Sequence, residues 1–160
     1  MWFFMITCYL MSALSFLLLG TSFLQNTLHF PIFRANEVTF MILISIVYLF
    51  TETLVIFFFV GTGISVKEYT QEKKLQPDYY RKALQIKRYI YPPLLLNMLF
   101  MIILFVLIGA VDTGRFPSGI YLIYFLFCVF HFMYAKGIQH RAFKANTENI
   151  LAMAGIAGHF

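Results

Sequence analysis

The residues of this chain that could carry chemistry are few, and the most informative lie inside hydrophobic runs. Glu52 stands in Tyr48-Leu49-Phe50-Thr51-Glu52-Thr53-Leu54-Val55-Ile56-Phe57-Phe58-Phe59, the single acid between Glu37 and Glu68. An ionisable side chain at the centre of a membrane helix costs about 2.5–3.5 kcal/mol on insertion scales, so it is a functional candidate by default. Two kinds of role stay open for Glu52. It handles protons or a ligand, as in a small oligomeric proton or ion transporter or channel, or it holds helices together, with partners in this chain or a cation from another subunit. His131, in the fourth apolar run, is the second candidate, because imidazole ligates haem iron and serves quinone sites in membrane anchors. The other histidines, His29, His140 and His159, lie outside the runs. A haem b site would therefore need its second axial ligand from a different chain. A histidine satisfied by Asn97 or a backbone carbonyl is the plainer reading.

Other constellations fail on spacing. Cys8 and Cys128 have no C-x-x-C neighbour and read as small packing residues. Met5, Met98, Met101 and Met133 are soft donors in principle, but they are scattered, so no metal site is expected. Gly61-Thr62-Gly63 lacks the lysine and the strand context of a phosphate loop. No nucleophile, base and orienting acid come together for hydrolysis, and no activity of the chain's own is expected. Asp112 and Arg115, three residues apart, are expected to form at most a local ion pair stapling a turn.

The elements that must position these residues are membrane spans. Of 160 residues, 61% are hydrophobic and 12% charged, about half the charge of a soluble domain. The net charge of +5 comes from cations flanking apolar runs, which suits lipid headgroups rather than nucleic acid. A span needs about 20 apolar residues, and four stretches qualify, at about 2–24, 38–63, 92–111 and 119–136. The expected fold is one all-α integral membrane domain, a bundle of four transmembrane helices with a cytoplasmic connection over 64–91 and a tail over 137–160. Met1 to Phe33 carries no charged side chain, so the first run reads as a retained helix rather than a signal peptide. Pro92-Pro93 is taken to open the third span, and Gly114, Pro117 and Gly119 to make a tight turn into the fourth.

Lys67, Lys73, Lys74, Arg81, Lys82, Lys87 and Arg88 follow span two, and Lys136, Arg141 and Lys144 follow span four, against only Arg34 and Arg115 elsewhere. This bias predicts both termini on the cytoplasmic or matrix side. Within the connection, Ser65-Val66-Lys67-Glu68 has the form of a capping box, and a second helix start is read at Pro77-Asp78. Lys87, Arg88 and Tyr91 suit a lipid headgroup interface, a solvated linker helix being the alternative. Ile150 to Met153 in the tail is expected to lie on the membrane or dock on a partner.

Helical spacing puts Ser45, Tyr48 and Glu52 on one stripe of span two, and Cys8, Ser12, Ser15 and Ser22 on one of span one. Tyr121, Tyr124, Cys128, His131 and Ala135 share a face of span four. Counting rise from the apparent span ends puts Glu52 about 16 Å deep, Ser12, Ser15 and Tyr124 at about 14–18 Å, and His131 and Asn97 at about 8 Å. Glu52 is thus expected in its neutral, protonated form, bonded to Tyr124 or the serines, with no close cation and no direct contact to His131. The proton-handling candidates are Glu52, Tyr48, Tyr124, Ser12 and Ser15; the candidate haem or quinone contacts are His131 and Asn97. The expected function is that of a non-catalytic subunit of a larger membrane complex, an energy-transducing or electron-transfer one among the options, with membrane lipids and other subunits as partners. The transporter and the haem or quinone anchor are the alternatives.

Overall fold

A chain crossing hydrocarbon must satisfy its backbone internally, so continuous apolar runs of this length become helices. The computed structural model describes residues 2–28 and 35–155. They form α1 (Trp2–Leu28), α2 (Glu37–Glu72), α3 (Asp78–Asp112) and α4 (Ser118–Met153), with no strand among the described residues. All four are long and apolar enough to cross a membrane; the chain is a multi-pass integral membrane protein. His29, Arg34 and His159 lie outside the described residues.

The helices run up, down, up, down around a closed ring of neighbours. Ser15 meets Thr51 across α1 and α2, Glu52 meets Asn97 across α2 and α3, Asn97 meets His131 across α3 and α4, and Tyr9 meets His140 to close the ring. Trp2 and Met153 therefore lie at one end of the bundle, with the α2–α3 turn. The short α3–α4 turn lies at the other.

Three expectations about boundaries are corrected. Ser65 does not start a helix: its hydroxyl donates to Gly61 O inside an unbroken α2, because no residue between Gly61 and Glu72 interrupts the backbone bonds. The start of α2 is capped instead by Asn36, whose Oδ1 accepts from Thr39 N at 2.9 Å. Pro92-Pro93 lies inside α3, not at its start. The missing N–H groups leave the carbonyls of Arg88 and Tyr89 without helical donors, a loss tolerated because packing on neighbouring helices carries the segment through. The tail is no separate element either, since α4 continues to Met153, where Thr70 Oγ1 contacts Met153 Sδ at 3.7 Å.

At 1.5 Å per residue the three longer helices measure about 53 Å, well beyond a hydrocarbon core of about 30 Å. They extend past α1 as a three-helix stub at the end carrying most of the cations. Both helix-ending turns between spans have the same backbone form. Gly114 adopts φ +69°, with Gly114 N bonded to Val111 O and Arg115 N to Ala110 O. Lys74 adopts φ +51°, with Lys74 N bonded to Gln71 O and Leu75 N to Thr70 O. These are Schellman caps, which occupy the last free carbonyls of the helix. The backbone thus shapes the α3–α4 turn, and no Asp112–Arg115 ion pair forms among the described residues.

Side chains pack into two apolar clusters. One, toward the short turn, is built around Ile44, Tyr48, Met101, Leu104, Phe125 and Phe132. The other, toward the stub, is built around Cys8, Val55, Phe59, Ile90, Leu94 and Phe143. On every helix polar residues lie between the clusters: Ser12 and Ser15, Thr51 and Glu52, Asn97, and Lys136 beside the buried Ala135.

Candidate functional site: a buried charge layer

Glu52 is completely buried, one helical turn from Tyr48 on one side and Val55 on the other, so it enters the interior on the face of α2 that makes the core. Its Oε1 accepts from Lys136 Nζ at 2.9 Å and from Asn97 Nδ2 at 3.1 Å. Lys136 also donates to Gln139 Oε1 at 2.8 Å, and its ammonium sits 4.8 Å from the Phe132 ring centroid. One carboxylate oxygen thus ties α2 to α3 and α4. The other, Oε2, is buried with no partner among the described residues.

The expectation of a lone acid without a close cation is overturned. Lys136 reads from the sequence as the first charge after span four, at the membrane face, but α4 runs on for four more turns and Lys136 turns inward onto Glu52. The depth count holds within its pairs, His131 with Asn97 and Ser15 beside Thr51 and Glu52, but fails between the pairs and for Lys136 because apolar runs do not end in one plane: α2 stays apolar to Gly63, well past the level at which α4 first carries a cation. Lys136 is the close cation that the argument for a neutral carboxyl took to be absent.

The other proposed partners of Glu52 bond elsewhere. Tyr124 OH donates to Phe100 O at 3.4 Å, and Ser12 Oγ to Cys8 O at 2.7 Å. Ser15 Oγ pairs with Thr51 Oγ1 at 2.9 Å, next to Glu52 but not on it. Tyr48 packs its ring 5.2 Å from Phe132 within the apolar cluster. Short hydroxyl side chains in a helix readily bond the carbonyl one turn back, which removes Ser12 from the layer's chemistry.

His131 joins the layer through Asn97. The polarity of this chain of bonds follows from its charged end. A carboxylate only accepts, so Asn97 gives it the amide N–H2 and turns its Oδ1 toward His131. Asn97 Oδ1 then requires a donor, and His131 Nδ1–H supplies it. The imidazole is thereby fixed as the Nδ1–H tautomer, with Nε2 left as an acceptor. His131 is only half-buried, at the edge of the α3–α4 seam, with Phe100 edge-on at 4.8 Å and Tyr134 at 6.2 Å between ring centroids.

The three headgroup candidates separate. Arg88 is exposed, whereas Lys87 is half-buried and lies across α2, its Cε and Nζ occupying the notch that a Cβ on Gly63 would fill. Tyr91 is half-buried against the lower cluster, and its hydroxyl has no bonding partner among the described residues.

Sequence reasoning did not find Lys136, Gln139 or Thr51. A signal was available for the first: an acid within one span calls for a cation within helical reach of another, and Lys136 with Gln139 one turn on is the sole such pair flanking span four. Set beside known protein families, curated proteins and solved structures, the chain matches none.

Proposed function

We propose that the chain is a non-catalytic integral membrane subunit of a larger membrane protein assembly, with both termini on the cytoplasmic or matrix side. The observation that carries this reading is that the one mid-span acid is fully buried and neutralised by Lys136 of its own chain. A buried pair of this kind, bonded from three helices, acts as a register-setting tie, and it supports the structural role of Glu52 over proton or ion transport. The outward surface supports assembly. Phe50 and Phe57 of α2 are 54% and 62% exposed, and aromatic side chains supply large areas for packing against partner helices.

Native mass spectrometry after extraction in mild detergent tests it. The expected result is co-purification with chains of different sequence in fixed stoichiometry. Particles containing only this chain would overturn the reading, and proton flux in proteoliposomes that is lost in Glu52→Gln would replace it with transport.

A further inference from the structure

The charge layer does not end inside the bundle. It ends on His131, whose Nε2 has no hydrogen-bond partner among the described residues and whose ring is half-buried at the edge of the α3–α4 seam. An acceptor left unpaired in hydrocarbon costs free energy. It cannot be relieved by flipping the tautomer, because Nδ1–H is held by Asn97 and Asn97 in turn by Glu52. One turn further along α4, Tyr134 is 65% exposed, and its hydroxyl also has no partner among the described residues. An obligate acceptor and a free donor therefore stand side by side on one surface, their rings 6.2 Å apart.

From this pair we infer that the α4 face around His131 and Tyr134 is a contact between two copies of this chain. Copies inserted the same way round are related by a two-fold axis along the membrane normal, and such an interface pairs residue i with j and j with i. Tyr134 OH of each copy donates to His131 Nε2 of the other, so one contact satisfies two donors and two acceptors. The depths agree. Tyr134 lies about 4.5 Å beyond His131 along the helix, but side chains on a helix lean toward its N-terminus, which brings the phenol hydroxyl back toward the level of the imidazole. Phe127 and Phe130, both exposed, flank the pair and supply the apolar remainder of the contact. The inference is independent of the subunit reading: a dimer can form with or without foreign chains, and foreign chains can bind a monomer.

The test is resonance energy transfer between full-length chains carrying donor or acceptor dyes at the C-terminus, followed against the protein-to-detergent ratio in maltoside micelles. Transfer above that of random co-occupancy is expected. Interhelical hydrogen bonds in membranes are individually modest, and each substitution removes both symmetric bonds, so Tyr134→Phe and His131→Phe should each weaken the dimer about ten-fold. The double variant should be no weaker than either single one, because the same bonds are already gone. Tyr134→Phe keeps the ring at an exposed position, so its effect is not a folding defect. A chain that stays monomeric, a dimer indifferent to Tyr134→Phe, or additive losses in the double variant would each overturn the inference. A Soret band in the purified protein that His131→Phe removes would also overturn it, assigning Nε2 to haem iron instead.

Discussion

Glu52 and Lys136 are unequal partners, and the inequality is measurable. The carboxylate is wholly enclosed, while 17% of the lysine side chain remains accessible. Removing the cation strands a buried negative charge, so Lys136→Met should destabilise the bundle by about 3–5 kcal/mol. Removing the acid strands an ammonium on a long flexible stem that can swing toward the headgroups, and Glu52→Gln should cost clearly less. Replacing both, as Glu52→Leu with Lys136→Met, should recover most of the loss, since a well-packed apolar pair often equals a buried ion pair in stability. Unfolding midpoints of the four proteins in detergent check this order; equal losses for the two single variants would refute it. Ser15 and Thr51 belong to the same layer but make a neutral bond, and bonds of that type in membranes average only about 0.6 kcal/mol.

At the level of elements, the helices are ended by backbone geometry more than by charge. Both Schellman caps need a left-handed residue after the last turn. In the α3–α4 turn that residue is Gly114; in the α2–α3 turn it is Lys74. A side chain in the left-handed region costs about 1–2 kcal/mol that glycine does not incur. Lys74→Gly is therefore expected to raise stability, by about 0.5–1 kcal/mol after its greater freedom in the unfolded chain is counted. A thermal melt in detergent reads the sign directly, and a drop would mean that Lys74 makes contacts worth more than its strain. The prolines of α3 show the converse: two missing N–H groups do not break a helix whose faces are packed, with Pro93 buried and Leu94 in the cluster toward the stub.

Across the molecule, a polar layer divides two apolar clusters, and three helices continue beyond the membrane as a stub. Because lipid gives no hydrophobic force to bring helices together, the layer supplies what the apolar clusters cannot, a unique register for α2, α3 and α4. The proposed orientation, with both termini on the cytoplasmic or matrix side, rests on the distribution of Lys and Arg. Single cysteines at Lys74 and Lys144 should react with a membrane-impermeant maleimide only from the cytoplasmic or matrix side, and one at Arg115 only from the opposite side. Cys8 and Cys128 are buried and should give a low background. Labelling of Lys74→Cys and Arg115→Cys from one side would break the four-span arrangement; exchange of the two sides would leave the bundle intact and reverse its orientation.

Membrane residence, the all-helical class and the number of spans were legible in the residues alone, because hydropathy over about 20 residues is a local property that lipid enforces. The faces were partly legible: Ser12, Ser15, Tyr48, Glu52 and Cys128 were read inward from helical spacing, and all are buried. What the chain order could not convey is height. Whether Lys136 stands at the membrane face or beside Glu52 depends on how far each helix continues and slides past its neighbours. Those offsets are fixed by side chains more than forty residues apart in sequence. Only the packed bundle brings Lys136 and Asn97 onto one oxygen of Glu52, and only that bond polarity decides which nitrogen of His131 carries the proton.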